Sequence, residues 1–457
     1  MKIHFIGICG VAMGGLALAL KKAGHEVTGS DKGFFPPIST YLKDNNVPYY
    51  PGWHPTKMCA NGNPDLVVVG NVASSTNPEW IYVQENNIPY VSYPELIKKF
   101  FLKENSIVCS GTYGKTSSAA LLSQILTDAE YNPSYMFGGL SIDETPSAVI
   151  GSGVWNVLEG DEYKTARWDN SPKFAHYDPT HLLLTAVEWD HADIYPTEEK
   201  YAETFETLVQ SLPKDGLLVV SERAHTYAEH ATCKIVSYGL SEHNDYTYSN
   251  LVSNKNGIEF DIAHDNKTYH IHSPFISEYQ AENITGSFAL AHSIGIEPDS
   301  IIKSIASHQG LRRRMEKRLD GDVTVIDDIA HSPAKASSAL STVRKITKGN
   351  VIALFEPNTG NRQPSAAKGY DHAFKDADMV IIPRLTIIKT DKDADKPFDG
   401  IELASVISNT HTNTQYIEDD AVLIETLVTK AKKGDSIVFL GSHGFRGMIE
   451  ELINKLQ

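Results

Sequence analysis

The chain has 457 residues, about three times the size of a typical domain, so a single small module is excluded and several domains are expected. Its 41 lysines and arginines face 57 aspartates and glutamates, a net charge of −16, and no long basic block offsets the excess. A protein held to nucleic acid through phosphate contacts needs the opposite balance, whereas a small anionic ligand needs only local positive potential.

The opening KIHFIGICG reads as a buried strand entering a glycine turn, and VAMGGLALALKKAG as a helix ending at Gly24. The apolar start from Ile3 to Leu20 is broken by glycines and followed at once by Lys21 and Lys22, so it is not read as a targeting segment. No run of about 18 apolar residues follows elsewhere, and no membrane association is expected. Strands EVTGSD, LVVVG and IPYVS then alternate with helical stretches such as PEWIYVQENN, the pattern of a parallel α/β sheet. This unit is placed at 1–104.

A second unit, 105–309, opens with the strand SIVCS, the loop GTYGK and a helix through TSSAALLSQILTDA. Its later strands are expected at VWNVLEG, HLLLTAV and GLLVVS. The polar stretch 240–272 reads as an antiparallel meander, and a helix at NITGSFALAHSIG follows. The third unit, 310–457, carries strands at VTVIDD, NVIALFEP, DMVIIP and SIVFLG, again with helix-length spacers. The four cysteines, Cys9, Cys59, Cys109 and Cys233, are scattered and form no C-x-x-C or Cys/His pair, so neither a disulfide framework nor a zinc site is indicated and a reducing, cytoplasmic setting is expected.

The strongest chemical signal is Gly111-Thr112-Tyr113-Gly114-Lys115-Thr116-Ser117 between a predicted strand and a predicted helix. Glycines let backbone N–H groups curl round phosphate oxygens, the helix N-terminus adds partial positive charge, and Lys115 reaches the outer phosphates while Thr116 faces Mg²⁺. The general phosphate-loop pattern asks for glycine at position 109, where this chain has Cys109. Two acidic segments, Glu159-Gly160-Asp161-Glu162 and Glu188-Trp189-Asp190-His191-Ala192-Asp193, follow predicted strands, at the sheet edge where α/β proteins bind ligands. Carboxylates suit hard Mg²⁺; His191 is a less usual ligand for it. In the third unit Arg312-Arg313-Arg314-Met315-Glu316 precedes a strand that ends at Asp327-Asp328-Ile329-Ala330-His331-Ser332-Pro333, and an arginine placed over a γ-phosphate stabilises phosphoryl transfer.

These motifs in this order, GTYGKTS, EGDE, EWDHAD, RRRME and DDIAHSP, make the chain similar over essentially its whole length to the Mur ligase family, the ATP-dependent amide-forming enzymes of bacterial peptidoglycan synthesis. The segments HFIGICGVAMGGLA, VTGSDKGFFPPIS and DEYKTARWDNSPKFAHYDP most resemble the members that join UDP-N-acetylmuramate to L-alanyl-γ-D-glutamyl-meso-diaminopimelate in peptidoglycan recycling; the alternative within the family is addition of free L-alanine. The resemblance implies three α/β domains: a Rossmann-like domain holding UDP-sugar, a central phosphate-loop ATPase-type domain, and a Rossmann-like C-terminal domain for the peptide and part of ATP. It assigns Gly10, Val11, Asp31, Ser74 and Ser75 to the UDP-sugar, and Gly111 to Ser117 with Arg313, Asp327 and His331 to ATP. It gives Thr116, Glu159 and His191 to the metal, and Lys115, His191 and Glu159 to catalysis. The cofactors are then ATP and Mg²⁺, the route is an acyl phosphate, and the partners are the two small substrates, with no nucleic acid, no membrane, and a monomer or weak homodimer. Departures stand at Tyr113, Ala186 and Tyr279-Gln280, where relatives often carry other residues. An NAD-linked oxidoreductase built on the first unit would leave the central loop unexplained, since Gly7-x-x-Gly10-x-x-x-Gly14 already departs from G-x-G-x-x-G; a non-catalytic nucleotide sensor would bind both ligands without releasing ADP.

Overall fold

The computed structural model describes residues 1–71, 73–190, 194–386 and 396–457. Three sheets carry the chain. In the first, β1 (Lys2–Ile6), β2 (Glu26–Asp31), β3 (Tyr49–Pro51), β4 (Leu66–Val69) and β5 (Tyr90–Val91) are all parallel in the order β3-β2-β1-β4-β5. The reversal of direction at β1 opens the crevice over the glycine turn, the usual ligand position in such sheets.

The central sheet has ten strands: β6 (Asn105–Ser110), β7 (Ser134–Met136), β8 (Ala148–Val149), β9 (Trp155–Gly160), β10 (His181–Leu184), β11 (Leu217–Ser221), β12 (Lys234–Gly239), β13 (Tyr246–Asn254), β14 (Gly257–His264) and β15 (Lys267–Ser273). Their order is β15-β14-β13-β12-β11-β10-β6-β9-β7-β8. The phosphate loop leaves β6, and its neighbours β9 and β10 lie parallel to it on either side, so all three release their chains at the same sheet edge. The polar stretch expected as a meander forms the three consecutive strands at one end. Cys109, where the phosphate-loop pattern asks for glycine, is inside β6, fully buried and paired with Glu159 and Leu183. The turn therefore starts at Gly111.

The third sheet, β16 (Glu316–Asp320), β17 (Thr324–Asp328), β18 (Val351–Glu356), β19 (Met379–Pro383), β20 (Thr414–Ile417) and β21 (Ser436–Gly441), runs β16-β17-β21-β18-β19-β20. Only the β16–β17 pair is antiparallel. Both edge strands escape the apolar-run criterion: EKRLD is mostly charged and TQYI is half polar and only partly buried, as strands with a solvated side are. The chain divides into two compact units, one of residues 1–251, 260–273 and 279–309, the other of 252–259, 274–278 and 310–457.

Within the first unit one apolar core runs from Ile3, Phe5 and Leu16 through Leu96 and Phe101 to Val108, Leu158, Tyr177 and Phe205, joining the first two sheets. Two glycines of the opening motif serve this packing. A Cβ at Gly14 would fall 2.6 Å from Ile38 Cγ2, and one at Gly15 would fall 2.5 Å from Ser147 Oγ, next to β8. The helix Val11–Lys22 thus lies close against the central sheet, which accounts for a glycine spacing unlike that of dinucleotide-binding turns. Trp168 adds a clasp, stacked on Trp80 at 5.1 Å and 19° and edge-on to Tyr90 at 5.3 Å.

His308, near the end of the first unit, is buried and shares a 2.6 Å hydrogen bond between Nδ1 and Gln124 Oε1. Burial pushes its pKa down to about 4, against the opposing pull of Asp143 and Asp128. Below its unfolded value of about 6.5 the unfolded chain binds the proton and the folded one does not, so this contribution is intact above pH ~6.5 and is lost as pH falls toward ~4. Its full size is on the order of 3 kcal/mol. His308→Gln should therefore flatten the fall in melting temperature between pH 7 and 4.5; identical slopes in parent and variant would exclude a buried neutral imidazole.

Candidate active site

The loop between β6 and the helix Lys115–Asp128 is built on two left-handed glycines, Gly111 at φ 129° and Gly114 at φ 86°. Neither admits a side chain: a Cβ at Gly111 would lie 2.2 Å from Thr185 Oγ1, and one at Gly114 would lie 2.3 Å from Asn283 Oδ1. Gly114 caps the helix without a side-chain hydrogen bond, leaving the first amides of Lys115, Thr116 and Ser117 directed at the loop's concavity. The segment after β10 clasps the loop from outside. Thr112 N donates to Ala186 O at 2.7 Å, Thr112 Oγ1 donates to Glu188 O at 2.7 Å, and Thr185 Oγ1 donates to Tyr113 O. Tyr113 itself stands exposed at the loop tip.

Lys115, at the first turn of the helix, directs Nζ to Glu162 at 2.8 and 3.1 Å. Glu162 is 1% exposed, so its charge is removed from water and faces the Lys115 ammonium. One residue along the helix, Thr116 Oγ1 donates to Glu159 Oε1 at 2.7 Å, and Gly138 N donates to Glu159 Oε2 at 2.6 Å. Asp161 pairs with Lys173. Burial works to raise the Asp161 carboxyl, yet it stands below the usual range because Lys173, and behind it Lys115, favour the charged form. Tyr201 spans the centre, its hydroxyl 2.8 Å from Thr112 Oγ1 and donating at 3.3 Å to Glu162 Oε1. A cavity of about 1110 Å³ lies beside this centre, between residues 164–180 and the helix Glu198–Gln210; it touches Tyr195, whose hydroxyl donates to Glu162 O at 2.6 Å, but none of the loop residues 111–117.

The structure thus brings Gly111, Thr112, Tyr113, Gly114, Lys115, Thr116, Ser117 and Glu159 together. His191, Ala192 and Asp193 lie outside the described residues. Among the described residues no cluster of three or more His, Cys, Asp or Glu is arranged to hold a metal. A Mg²⁺ ion nonetheless suits what is here. It takes oxygen ligands, keeps several waters, and binds through one or two carboxylates plus phosphates, and the Thr116 hydroxyl and Glu159 carboxylate supply that donor set. Glu162, Tyr201 and Asn283 were not singled out from the sequence. Glu162 lay inside a noticed acidic segment, but Tyr201 and Asn283 sit on helices whose local pattern marks only a packed face.

The first sheet places Gly10 at the N-cap of the helix Val11–Lys22, again with no side-chain cap, and Val11 at its first position. Asp31, at the end of β2, accepts from Cys9 N at 2.9 Å and Lys32 N at 2.7 Å, so its carboxylate stiffens the glycine turn. Ser74 and Ser75 are exposed beyond β4, with Ser74 Oγ 3.0 Å from Thr76 Oγ1.

In the second unit Arg313 is left-handed, with φ 60°, and its guanidinium donates to the carbonyls of Gly441, Ser442 and His443 while facing Asp327 at 3.5 Å. Asp327, 2% exposed at the end of β17, is pushed up to about 6 by burial, against the lowering effect of Arg313. His331 Nδ1 lies 2.7 Å from Ile329 O, in the turn that leads to the helix Pro333–Ile346.

Three family models match in sequence: "Mur ligase family, catalytic domain" over 2–104, "Mur ligase middle domain" over 109–291 and "Mur ligase, glutamate ligase domain" over 313–443. The UDP-N-acetylmuramate–L-alanyl-γ-D-glutamyl-meso-2,6-diaminoheptandioate ligase of Escherichia coli K12 is 30% identical, over 100% of this chain and 98% of that protein. A solved murein peptide ligase from Psychrobacter arcticus superposes with a TM-score of 0.72 at 25% identity, covering 100% of this chain and 98% of the other. The UDP-N-acetylmuramate–alanine ligase of Thermotoga maritima superposes at 0.81 and 21% identity, over 100% and 99%, a likeness of fold.

Lys115→Ala should reduce product formation by at least about 10³-fold, the scale of losing a preorganised positive group at a phosphoryl-transfer centre, while binding of the UDP-sugar survives. Turnover together with calorimetric titration of the UDP-sugar measures both; near-normal turnover would remove Lys115 from the reaction.

Proposed function

The chain belongs to the Mur ligase family, and from that premise we propose that this ATP-dependent ligase joins UDP-N-acetylmuramate to L-alanyl-γ-D-glutamyl-meso-diaminopimelate, through an acyl phosphate, in peptidoglycan recycling. The observation that carries the chemistry is the Lys115–Glu162 pair at the head of an uncapped helix, one residue from the Thr116–Glu159 contact. A carboxylate is a poor electrophile, and a terminal phosphoryl group moves onto it only where charge is neutralised and the reactants are aligned. The loop amides and the Lys115 ammonium hold the phosphates. Thr116 and Glu159 would hold Mg²⁺, with His191 as a further ligand, and such an ion would supply charge neutralisation to the phosphates. The family resemblance assigns Arg313, Asp327 and His331 to the nucleotide as well.

Gly10 and Val11 present an uncapped helix N-terminus to the diphosphate of the UDP-sugar, with Asp31 fixing the turn and Ser74 and Ser75 donating from the neighbouring loop. The E. coli relative's acceptor, together with the segment 161–180 packed over the junction of the first two sheets, supports the tripeptide as acceptor rather than free alanine. Substrates of this kind and four free cysteines fit a cytoplasmic setting, and among the described residues no helix is long and apolar enough to cross a membrane.

Incubation with UDP-N-acetylmuramate, ATP and Mg²⁺ plus either the tripeptide or L-alanine should give the tripeptide adduct by mass spectrometry, with ADP and phosphate. Alanine adduct alone would reassign the acceptor, and ATP-independent behaviour with either would reject the ligase reading. Glu159→Gln should raise the Mg²⁺ concentration needed for half-maximal rate by about 10-fold or more, since a single neutralised ligand removes a principal ion–carboxylate contact.

A further inference from the structure

Lys173 has no part in the chemistry above, yet it is 8% exposed, and a buried ammonium is costly unless paired. It comes from the segment 161–180, at the start of a short 3₁₀ turn, Lys173–His176. That turn folds back on the acidic segment: Lys173 N donates to Tyr163 O at 3.1 Å and Phe174 N to Asp161 O at 3.4 Å. Its Nζ forms an ion pair with Asp161 and lies 5.3 Å from the ring centroid of Tyr93 and 5.5 Å from that of Tyr163. Tyr93 opens the helix Tyr93–Phe100, so the ammonium is enclosed from both sides of the junction between the first two sheets.

Asp161 and Glu162 are consecutive residues at the exit of β9, and each holds a different lysine: Asp161 holds Lys173, Glu162 holds Lys115. Lys115 also acts electrostatically on Asp161. Without Lys173 the Asp161 charge would act on Lys115 in addition to that of Glu162, and the positive potential offered to a phosphate would be reduced where the low dielectric makes it strongest. We infer that Lys173 is a positioning residue for the ligation reaction: by occupying Asp161 it leaves Lys115 matched by Glu162 alone and keeps the phosphate loop positive. This rests on the reading of Lys115 as the phosphate lysine.

The test is a double-mutant cycle on the full chain, read by calorimetric titration of MgATP, steady-state kinetics and thermal melting. K173M should weaken MgATP about 10-fold or more, equivalent to about 1.4 kcal/mol, and lower kcat, while the KM for UDP-N-acetylmuramate stays within about threefold. K173R, which keeps the charge, should stay within about threefold of the parent in MgATP affinity, and so should D161N/K173M, which removes both charges together. D161N alone should bind MgATP as tightly as the parent or more tightly. Parent-like MgATP affinity in K173M, or a double variant as impaired as K173M, overturns the inference, since a packing role is not restored by deleting the partner's charge. Should K173M fail to fold, D161N decides by sign, because a 10-fold loss of MgATP affinity there contradicts it. No MgATP binding by the parent itself would strike the assignment of the loop, a separate outcome.

Discussion

A buried carboxylate facing a lysine at the first turn of an uncapped helix is the interaction on which the centre of this molecule depends. Glu162 is withdrawn from water and pairs with Lys115, which stands at the first turn of the helix that closes the loop. Pairs of this kind add little to stability compared with well-packed apolar groups, which makes them informative when a fold retains one. Here the pair stores an oriented positive charge beside amides that have no capping side chain. On the proposed reading, these uncapped amides and the lysine are the donors that a phosphate in the loop would meet.

The scaffold around that pair is arranged to keep it in place. β6, β9 and β10 are adjacent and parallel, so the loop, the acidic segment after β9 and the segment after β10 all emerge at one edge. The residues just beyond β10 then bind the loop's backbone, Thr185 through its hydroxyl and Ala186 through its carbonyl, and two glycines leave room for that contact. The same economy of space governs the first sheet, where Gly14 and Gly15 let a helix lie against Ile38 and Ser147. Glycine is doing two different jobs in these motifs: it permits a left-handed turn in the phosphate loop and close helix packing in the opening segment.

Chain segments far apart in sequence converge on the same centre. Tyr201 reaches it from the helix Glu198–Gln210, Asn283 from the helix Tyr279–Ser293, and Lys173 from the segment that also stacks Trp168 on Trp80. That segment links the first sheet's packing to the charges beside the loop. In the second unit Arg313 takes a different course from an exposed basic cluster: its guanidinium straps the carbonyls at the end of β21 next to a buried Asp327.

Local chemistry made much of this readable before any coordinates. A short apolar run followed by Gly-Thr-x-Gly-Lys-Thr and a helical stretch has one economical interpretation, because each residue's role follows from its backbone freedom or its charge. The buried parallel strands β1, β6, β17, β18 and β21 were equally plain, since burial on both faces demands continuous apolar runs. The edge strands β16 and β20 and the early start of the helix Tyr279–Ser293 were not, because an element solvated on one side carries a weaker pattern. Nor could spacing along the chain reveal that Glu162 and not Asp161 answers Lys115, that Lys173 claims Asp161, or that Tyr201 and Asn283 stand at the loop. Those pairings are set by which side chains the sheet order and helix packing bring within a few ångströms, and distance in space is a property that only the folded chain possesses.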